Sequence, residues 1–93
     1  MIKPIQDFSE LYQNDPNPFN EATKIRFRIP DKVINSVIYI YDLQGKQIKS
    51  YNVKERGESF IMINGYELDP GIYLYTLIAD GKEIGTKRMI LTE

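Results

Sequence analysis

The chain alternates apolar and polar positions over several short stretches, a pattern typical of β-strands with one buried face. Residues 23–30, TKIRFRIP, show this alternation most clearly. One face is apolar and the other is basic: Ile25, Phe27 and Ile29 oppose Lys24, Arg26 and Arg28. Pro30 ends the stretch, because proline has no amide proton to donate to a neighbouring strand. We therefore predict a strand that buries its apolar face.

Three further stretches are apolar on both faces and rich in β-branched and aromatic residues. They are SVIYIYD at residues 36–42, SFIMIN at residues 59–64 and GIYLYTLIAD at residues 71–80. In the second, Phe60 and Met62 oppose Ile61 and Ile63. A strand that is apolar on both faces lies in the middle of a sheet or meets a partner. We predict three such strands.

Turn signals separate these stretches. In DLQGK, at residues 42–46, Gly45 stands where a type I turn needs a left-handed residue, and KQIKSYNV then forms a returning strand. Asp80-Gly81 is a two-residue hairpin signal before the last strand, KEIGTKRMILT. Phe8, Leu11 and Tyr12 have helix-like spacing, but that segment is short and lacks a cap. Six or seven short strands without a helix indicate one antiparallel β-sandwich domain.

Composition limits the chemistry that this domain can perform. The 93 residues carry a net charge of −1, so no overall field favours nucleic acid or an acidic membrane. The sequence contains no Cys and no His, which removes disulfides, thiolate metal sites and the commonest general base. Its apolar runs are far shorter than the roughly 18–20 residues of a membrane span. The sequence indicates neither an enzyme nor a cofactor.

Several residue groups invite a binding role, and each also has a structural explanation. The basic face at residues 24, 26 and 28 suits phosphate, but charges on a strand also protect a sheet edge from pairing. Tyrosines at positions 39, 41, 51, 66, 73 and 75 suit a sugar-stacking platform, but Tyr is also a good strand residue. Glu67 and Asp69, near Asp42, lack the spacing of a calcium loop. In all three cases we favour the structural explanation.

Two segments at opposite ends of the sequence stand out. Residues 14–20, NDPNPFN, contain two prolines that fix their own φ and favour extended conformations before them. We expect the Asn side chains to satisfy local backbone groups and Phe19 to anchor this proline segment against the core. Near the C-terminus, Lys87 and Arg88 precede the apolar triplet Met89, Ile90 and Leu91. That sequence forms either an exposed recognition tag or an ordinary last strand with a charged edge.

Four blocks of the sequence resemble the C-terminal sorting domains of type IX secretion cargo, a family typical of Bacteroidetes-type bacteria. The blocks are LYQNDPNPFNEATKIRFRIP, IYDLQGKQI, LDPGIYLY and the ending GKEIGTKRMIL, in this order from about residue 11 to residue 91. The departures are small: Glu21-Ala22, Ser36 and Asn64-Gly65-Tyr66 replace commoner residues. A related module of flagellar hook-capping proteins shares the middle pattern, so part of the similarity reflects the sandwich.

The resemblance implies an Ig-like sandwich of about seven strands that is not an enzyme and needs no cofactor. Residues 1–12 would join it to an upstream cargo domain, and residues 13–93 would be the sorting domain. Such domains carry cargo from the periplasm through an outer-membrane translocon to the cell surface, and in many cases a sortase-like protease removes them. Recognition is attributed to the C-terminal strand, here Gly81, Lys87, Arg88, Met89, Ile90 and Leu91. The motif at the start of the domain is structural: Asn14, Pro16, Asn17, Pro18, Phe19 and Asn20.

Two other classes of function stay open from the sequence. One is a carbohydrate-binding or adhesive sandwich of a cell-surface protein, and the other is a structural spacer. We expect strand addition to be the mode of recognition, with Lys87 and Arg88 supplying charge specificity. We also expect the proline segment to be remote from that recognition, so that Phe19→Ala lowers stability and leaves recognition intact.

Overall fold

The computed structural model describes residues 8–93, which form seven strands and a single 3₁₀ turn. The strands are β1 (Glu10–Leu11), β2 (Ala22–Ile29), β3 (Ser36–Asp42), β4 (Gln47–Asn52), β5 (Gly57–Asn64), β6 (Gly71–Ala79) and β7 (Lys82–Leu91), and the 3₁₀ turn is Gly65–Glu67. The segments with strand patterns therefore all form strands. The expected all-β architecture is confirmed.

The strands form two antiparallel sheets, with the order β1-β2-β5 in one and β4-β3-β6-β7 in the other. The chain crosses between the sheets after β2, after β4 and after β5, as in an Ig-like sandwich. Contacts between β1 and β7 place these two edges on the same side of the sandwich. The β5 edge therefore lies on the opposite side of the molecule from β7.

The core lies between the sheets and takes alternate residues from each strand. The expected apolar face of β2 is fully buried, and the outward positions of that strand are the basic ones. Strands β3 and β6 point Ile38, Ile40, Tyr75 and Leu77 into the same core. The predicted faces of these strands are confirmed, because side chains alternate across a strand and only one face meets the other sheet.

Local turn chemistry is also as expected. Asp80 and Gly81 both have positive φ, 49° and 78°, which is the geometry of a type I′ hairpin turn between β6 and β7. The Asp80 carboxylate accepts hydrogen bonds from the Ile34 and Asn35 amides, so the same turn fixes the loop before β3. Across residues 8–93, no helix has the length and apolarity needed to cross a membrane.

One strand was not expected from the sequence. Glu10 and Leu11 form β1, which pairs with Arg28 and Phe27 of β2, and the Leu11 side chain lies in the core. The sandwich thus includes residues from the segment assigned to the junction with cargo. Residues 1–7 of that junction lie outside the described part of the chain.

Candidate recognition site

The proline segment is held in place by the buried side chain of Asn14. Its amide Nδ2 donates to the Pro16 carbonyl oxygen at 3.1 Å and to Thr23 Oγ1 at 3.0 Å. Its Oδ1 accepts from Gln13 Nε2 at 2.7 Å, and Thr23 Oγ1 donates to the Pro16 carbonyl oxygen. The expectation that asparagine satisfies local backbone groups is confirmed for Asn14, and a buried amide without partners would destabilise the fold.

A buried tyrosine of β6 joins the second sheet to this segment. The Tyr75 hydroxyl accepts a hydrogen bond from the backbone amide of Asn14 at 2.6 Å and donates one to the backbone carbonyl of Tyr12 at 2.8 Å. Burial of the ring raises the pKa of Tyr75 to about 12. The hydroxyl is therefore neutral at physiological pH and can serve as donor and acceptor at once.

The proline segment pairs directly with the C-terminal strand. The Phe19 amide donates to the Ile90 carbonyl at 2.9 Å, and the Thr92 amide donates to the Phe19 carbonyl at 2.8 Å, which is a parallel bridge between Phe19 and Leu91. The Phe19 side chain is buried in the core, as expected. The expectation that this segment is remote from the C-terminal strand is wrong: the two are neighbours in space.

Two side chains extend this pairing along the edge of β7. Asn17 Oδ1 accepts from the Ile90 amide at 2.9 Å, and Gln13 Nε2 donates to the Arg88 carbonyl at 2.6 Å. The outward carbonyl of Arg88 and both outward backbone groups of Ile90 are thus already bonded within the chain. A partner strand could not add to this half of the edge without displacing the proline segment, because each edge group accepts only one neighbouring strand.

The side chains of the C-terminal motif divide into two groups. Met89 and Leu91 are 0% and 4% exposed and belong to the core, so the interpretation of the triplet as an exposed tag is wrong for them. Arg88 is exposed, and Lys87 and Ile90 are half-buried. The alternation follows from the register of β7 against β6, which points every second residue inward.

Gly81 does not lie with the rest of the motif. It sits in the β6–β7 turn, whereas Lys87 to Leu91 occupy the opposite end of the ten-residue strand β7. At about 3.3 Å per residue, roughly 20 Å separates the turn from Lys87. The positive φ of Gly81 accounts for its residue type without any contact to a partner.

The end of the sandwich at which β7 finishes holds an open groove of about 540 Å³. It is lined by residues from three separate parts of the chain, among them Asn20, Gly65, Tyr66, Leu68 and Leu91. Gly65 is required for the close approach, because a Cβ there would lie 2.7 Å from the Asn20 carbonyl oxygen and 2.9 Å from Leu91 Cδ1. Residues 20, 65 and 91 are far apart in the sequence, so no local pattern indicates this contact.

The other candidate groups show structural roles. Lys24 Nζ lies 4.3 Å from the centre of the Phe60 ring, and Arg28 pairs with Glu58 at 2.7 Å, so the basic face is partly neutralised by β5. Among the tyrosines, Tyr73 and Tyr75 are buried. The Tyr39 and Tyr41 rings are tilted by 42°, and so do not present one flat stacking surface. Within residues 8–93, no group of three acidic residues could hold a metal ion.

Comparisons with known proteins identify the family. A family described as the secretion system C-terminal sorting domain matches residues 15–92, nearly the whole chain. The chain belongs to this family. The resemblance to type IX sorting domains that the four sequence blocks indicated is thus confirmed. No curated protein matches the sequence.

A solved structure supports the fold of this sorting domain. The chitinase ChiW of Paenibacillus sp. str. FPU-7, described as a cell-surface-expressed multi-modular enzyme, superimposes with a TM-score of 0.61 at 16% identity. The alignment covers 91% of this chain and 8% of that chain. At this identity the likeness concerns the fold alone, and the sorting domain spans only a small part of the larger enzyme.

Proposed function

We propose that this sorting domain directs a larger cargo protein, attached before residue 13, through the type IX translocon of the outer membrane. The cargo would pass through the periplasm and end on the cell surface or in the medium. The family match over residues 15–92 supports this proposal, as does the lack of His and Cys for catalysis. The domain itself would act as a signal without enzymatic activity or cofactor.

The recognition surface that we propose centres on the last half of β7. Arg88 and the outward part of Ile90 are available for contact with a translocon or shuttle component, and Lys87 adds charge at the margin. Met89 and Leu91 would act by fixing the strand in the core, and Gly81 by forming its turn. The observation that carries this proposal is the bonding of Gln13 to Arg88 and of Asn17, in the proline segment, to Ile90, which presents the strand in one fixed position.

The proline segment then has a role in recognition, because it holds the strand that is recognised. Pro16, Pro18 and Asn20 lie beside Phe19 at the rim of a shallow groove that includes Thr92. We propose that a sortase-like protease, where one acts, cuts on the N-terminal side of β1, before Glu10. Cleavage there would leave the bonded pair of the proline segment and β7 within the released domain.

The test is export of a periplasmic reporter fused to the N-terminal side of this domain in a type IX-competent host. Lys87→Ala combined with Arg88→Ala should lower the surface fraction of the reporter, since these side chains are the two charges of the motif, Arg88 exposed and Lys87 half-buried. The matched control is Lys24→Ala combined with Arg26→Ala, which removes two cations from the outward face of β2. The control should reach the surface at the wild-type level.

Stability of each variant is measured alongside export, so that loss of folding is distinguished from loss of recognition. Equal export of the Lys87, Arg88 variant and the control would contradict the assignment of recognition to β7. A wild-type fusion that stays in the periplasm would contradict the sorting function and would favour a structural spacer. Specific binding on a glycan array would instead favour the adhesive alternative.

A further inference from the structure

Among residues 8–93, β5 is an edge strand that pairs only with β2. The direction of the backbone groups along its free edge follows from the hydrogen bonds of β2. Lys24 exchanges both backbone hydrogen bonds with Asp15, and the Arg26 carbonyl accepts from the Tyr12 amide. The backbone amides and carbonyls of these two β2 residues therefore point away from β5. In an antiparallel pair successive residues alternate in direction. Their neighbours Ile25 and Phe27 therefore bond to Ile61 and Ser59, the partners in register. Glu58, Phe60 and Met62 consequently direct their amides and carbonyls to the free edge.

The side chains of β5 leave this edge unprotected. Phe60 and Met62 are 47% and 46% exposed on the outer face, and Ile61 is only half-buried on the inner face. The single charge of the strand, Glu58, is paired with Arg28. Natural edge strands avoid pairing through proline, lysine, bulges or short length. In β5 the eight residues contain none of these devices and pair with β2 without a shift in register.

We propose that the β5 edge pairs with β5 of a second copy of this chain. The two strands would run antiparallel around a two-fold axis at Ile61, which joins the two three-stranded sheets into one sheet of six strands. Phe60 would lie opposite Met62 of the second copy, and Glu58 opposite Asn64. The residues with outward backbone groups would then face one another, as hydrogen-bonded antiparallel pairs require.

The choice of a second copy follows from the self-complementarity of the strand. In this register the apolar pairs meet, with a sulfur–aromatic contact between Met62 and Phe60. The two Glu58 side chains lie at opposite ends of the interface and do not repel each other. A two-fold interface uses the same patch on both copies, which one antiparallel strand satisfies. Since β5 and β7 are on opposite sides of the sandwich, the pairing would leave the recognition surface accessible, and it does not depend on the proposed function.

The first experiment measures the mass of the whole chain in solution by light scattering or sedimentation over a range of concentrations. We expect the mass to rise toward twice the 10.9 kDa of one chain. Met62→Pro should abolish this rise, because it removes an outward amide that is not bonded to β2. The matched control is Ser50→Pro on β4. Its amide faces the other free edge, because β4 bonds to β3 through the alternate residues, as at Val53 and Ser36.

A second experiment tests the register and does not depend on how well β5 tolerates proline. The chain has no Cys, so a single introduced cysteine gives an unambiguous cross-link. Ile61→Cys should form an intermolecular disulfide on oxidation, since facing non-hydrogen-bonded residues have Cα atoms about 4.5 Å apart. Ser59→Cys on the same face would lie opposite Ile63 of the second copy. The two introduced thiols would then be roughly 13 Å apart along the strands, and this variant should stay reduced.

The outcomes separate clearly. A concentration-dependent dimer that Met62→Pro removes and Ser50→Pro retains, together with cross-linking of Ile61→Cys alone, supports the pairing. A chain that stays at the mass of one copy at all concentrations overturns it. Equal cross-linking of both cysteine variants overturns the proposed register.

Discussion

At the scale of single residues, Tyr75 connects β6 to the start of the domain. Its ring lies in the core, while its hydroxyl bonds to the backbone of residues 12 and 14, just beside the proline segment. Burial is the largest cause of its raised pKa, because ionisation would place a charge between the sheets. The residue is therefore a structural bond between β6 and the start of the domain.

Because of Tyr75, the free energy of unfolding should fall as the pH rises above about 10. Its pKa is about 12 in the folded chain and 10.0 in the unfolded chain, so its contribution is complete below pH 10 and is lost as the pH rises toward 12. Tyr75→Phe should remove this part of the decline, up to about 1.4 kcal/mol per pH unit. It should also lower the free energy of unfolding at neutral pH by about 1–3 kcal/mol, since the Asn14 amide loses its partner.

Urea unfolding of both proteins over a series of alkaline pH values measures this difference. Tyr66→Phe is the control, because that side chain is 83% exposed and its removal should leave the wild-type curve unchanged. Parallel curves for wild type and Tyr75→Phe would show that the buried hydroxyl does not titrate as expected.

Gly65 has no side chain, and this allows its close approach to Asn20 and Leu91. Gly65→Ala would push a Cβ against the Asn20 carbonyl, which is backbone and cannot rotate away. We expect a loss of about 1–3 kcal/mol in the free energy of unfolding. Gly85→Ala is the matched control, because its nearest neighbour is Leu11 Cβ at an ordinary 3.8 Å. Equal stability of the two variants would mean that the chain relaxes freely around residue 65.

At the scale of elements, local patterns predicted the long strands, and distant pairing determined the rest. The alternation in β2 and the Asp80-Gly81 turn depend on neighbours in sequence, so their structure could be inferred from a few residues. Strand β1 has two residues and exists because Glu10 and Leu11 meet residues 28 and 27 of β2. The bond between the proline segment and β7 joins Phe19 to Ile90 through backbone groups, which residue types do not reveal.

This pairing changes what Phe19→Ala is expected to do. The large buried ring predicts a loss of about 3–5 kcal/mol in the free energy of unfolding. The Ile90 and Thr92 amides should also exchange hydrogen faster, because their partners Asn17 and Phe19 are in the loosened segment. Hydrogen exchange resolved by residue measures the exchange rates of the Ile90 and Thr92 amides. Unchanged protection of Ile90 and Thr92 relative to the Gly45 turn would contradict the coupling between the two segments.

At the scale of the whole molecule, the first and last described segments close the sandwich together. The described part of the chain begins and ends at one edge, where β1 and the proline segment lie against β7. The family pattern at both ends of the sequence thus corresponds to one structural unit. This also explains why the residues of the C-terminal motif could be identified from sequence while their burial could not: burial depends on the register of β7 against β6.

Deletions at the C-terminus should therefore affect folding before they affect recognition. Removal of residues 91–93 takes away the buried Leu91 side chain and its bridge to Phe19, which should cost about 3–5 kcal/mol. Small domains are stable by only about 5–15 kcal/mol, so this truncation should remove a large part of the total stability. Removal of residues 92 and 93 alone loses the Thr92 bonds to Phe19 and should cost about 1 kcal/mol.

Circular dichroism and urea unfolding of both truncations are compared with those of Arg88→Ala. The comparison distinguishes loss of folding from loss of recognition. Arg88 is exposed on the outer face, so its replacement should leave the free energy of unfolding within about 0.5 kcal/mol of wild type. If the chain without residues 91–93 kept wild-type stability, the terminal residues would not be structural. Loss of export on their deletion would then report recognition directly. With the expected loss of stability, only substitutions such as Arg88→Ala can separate a missing signal from an unfolded one.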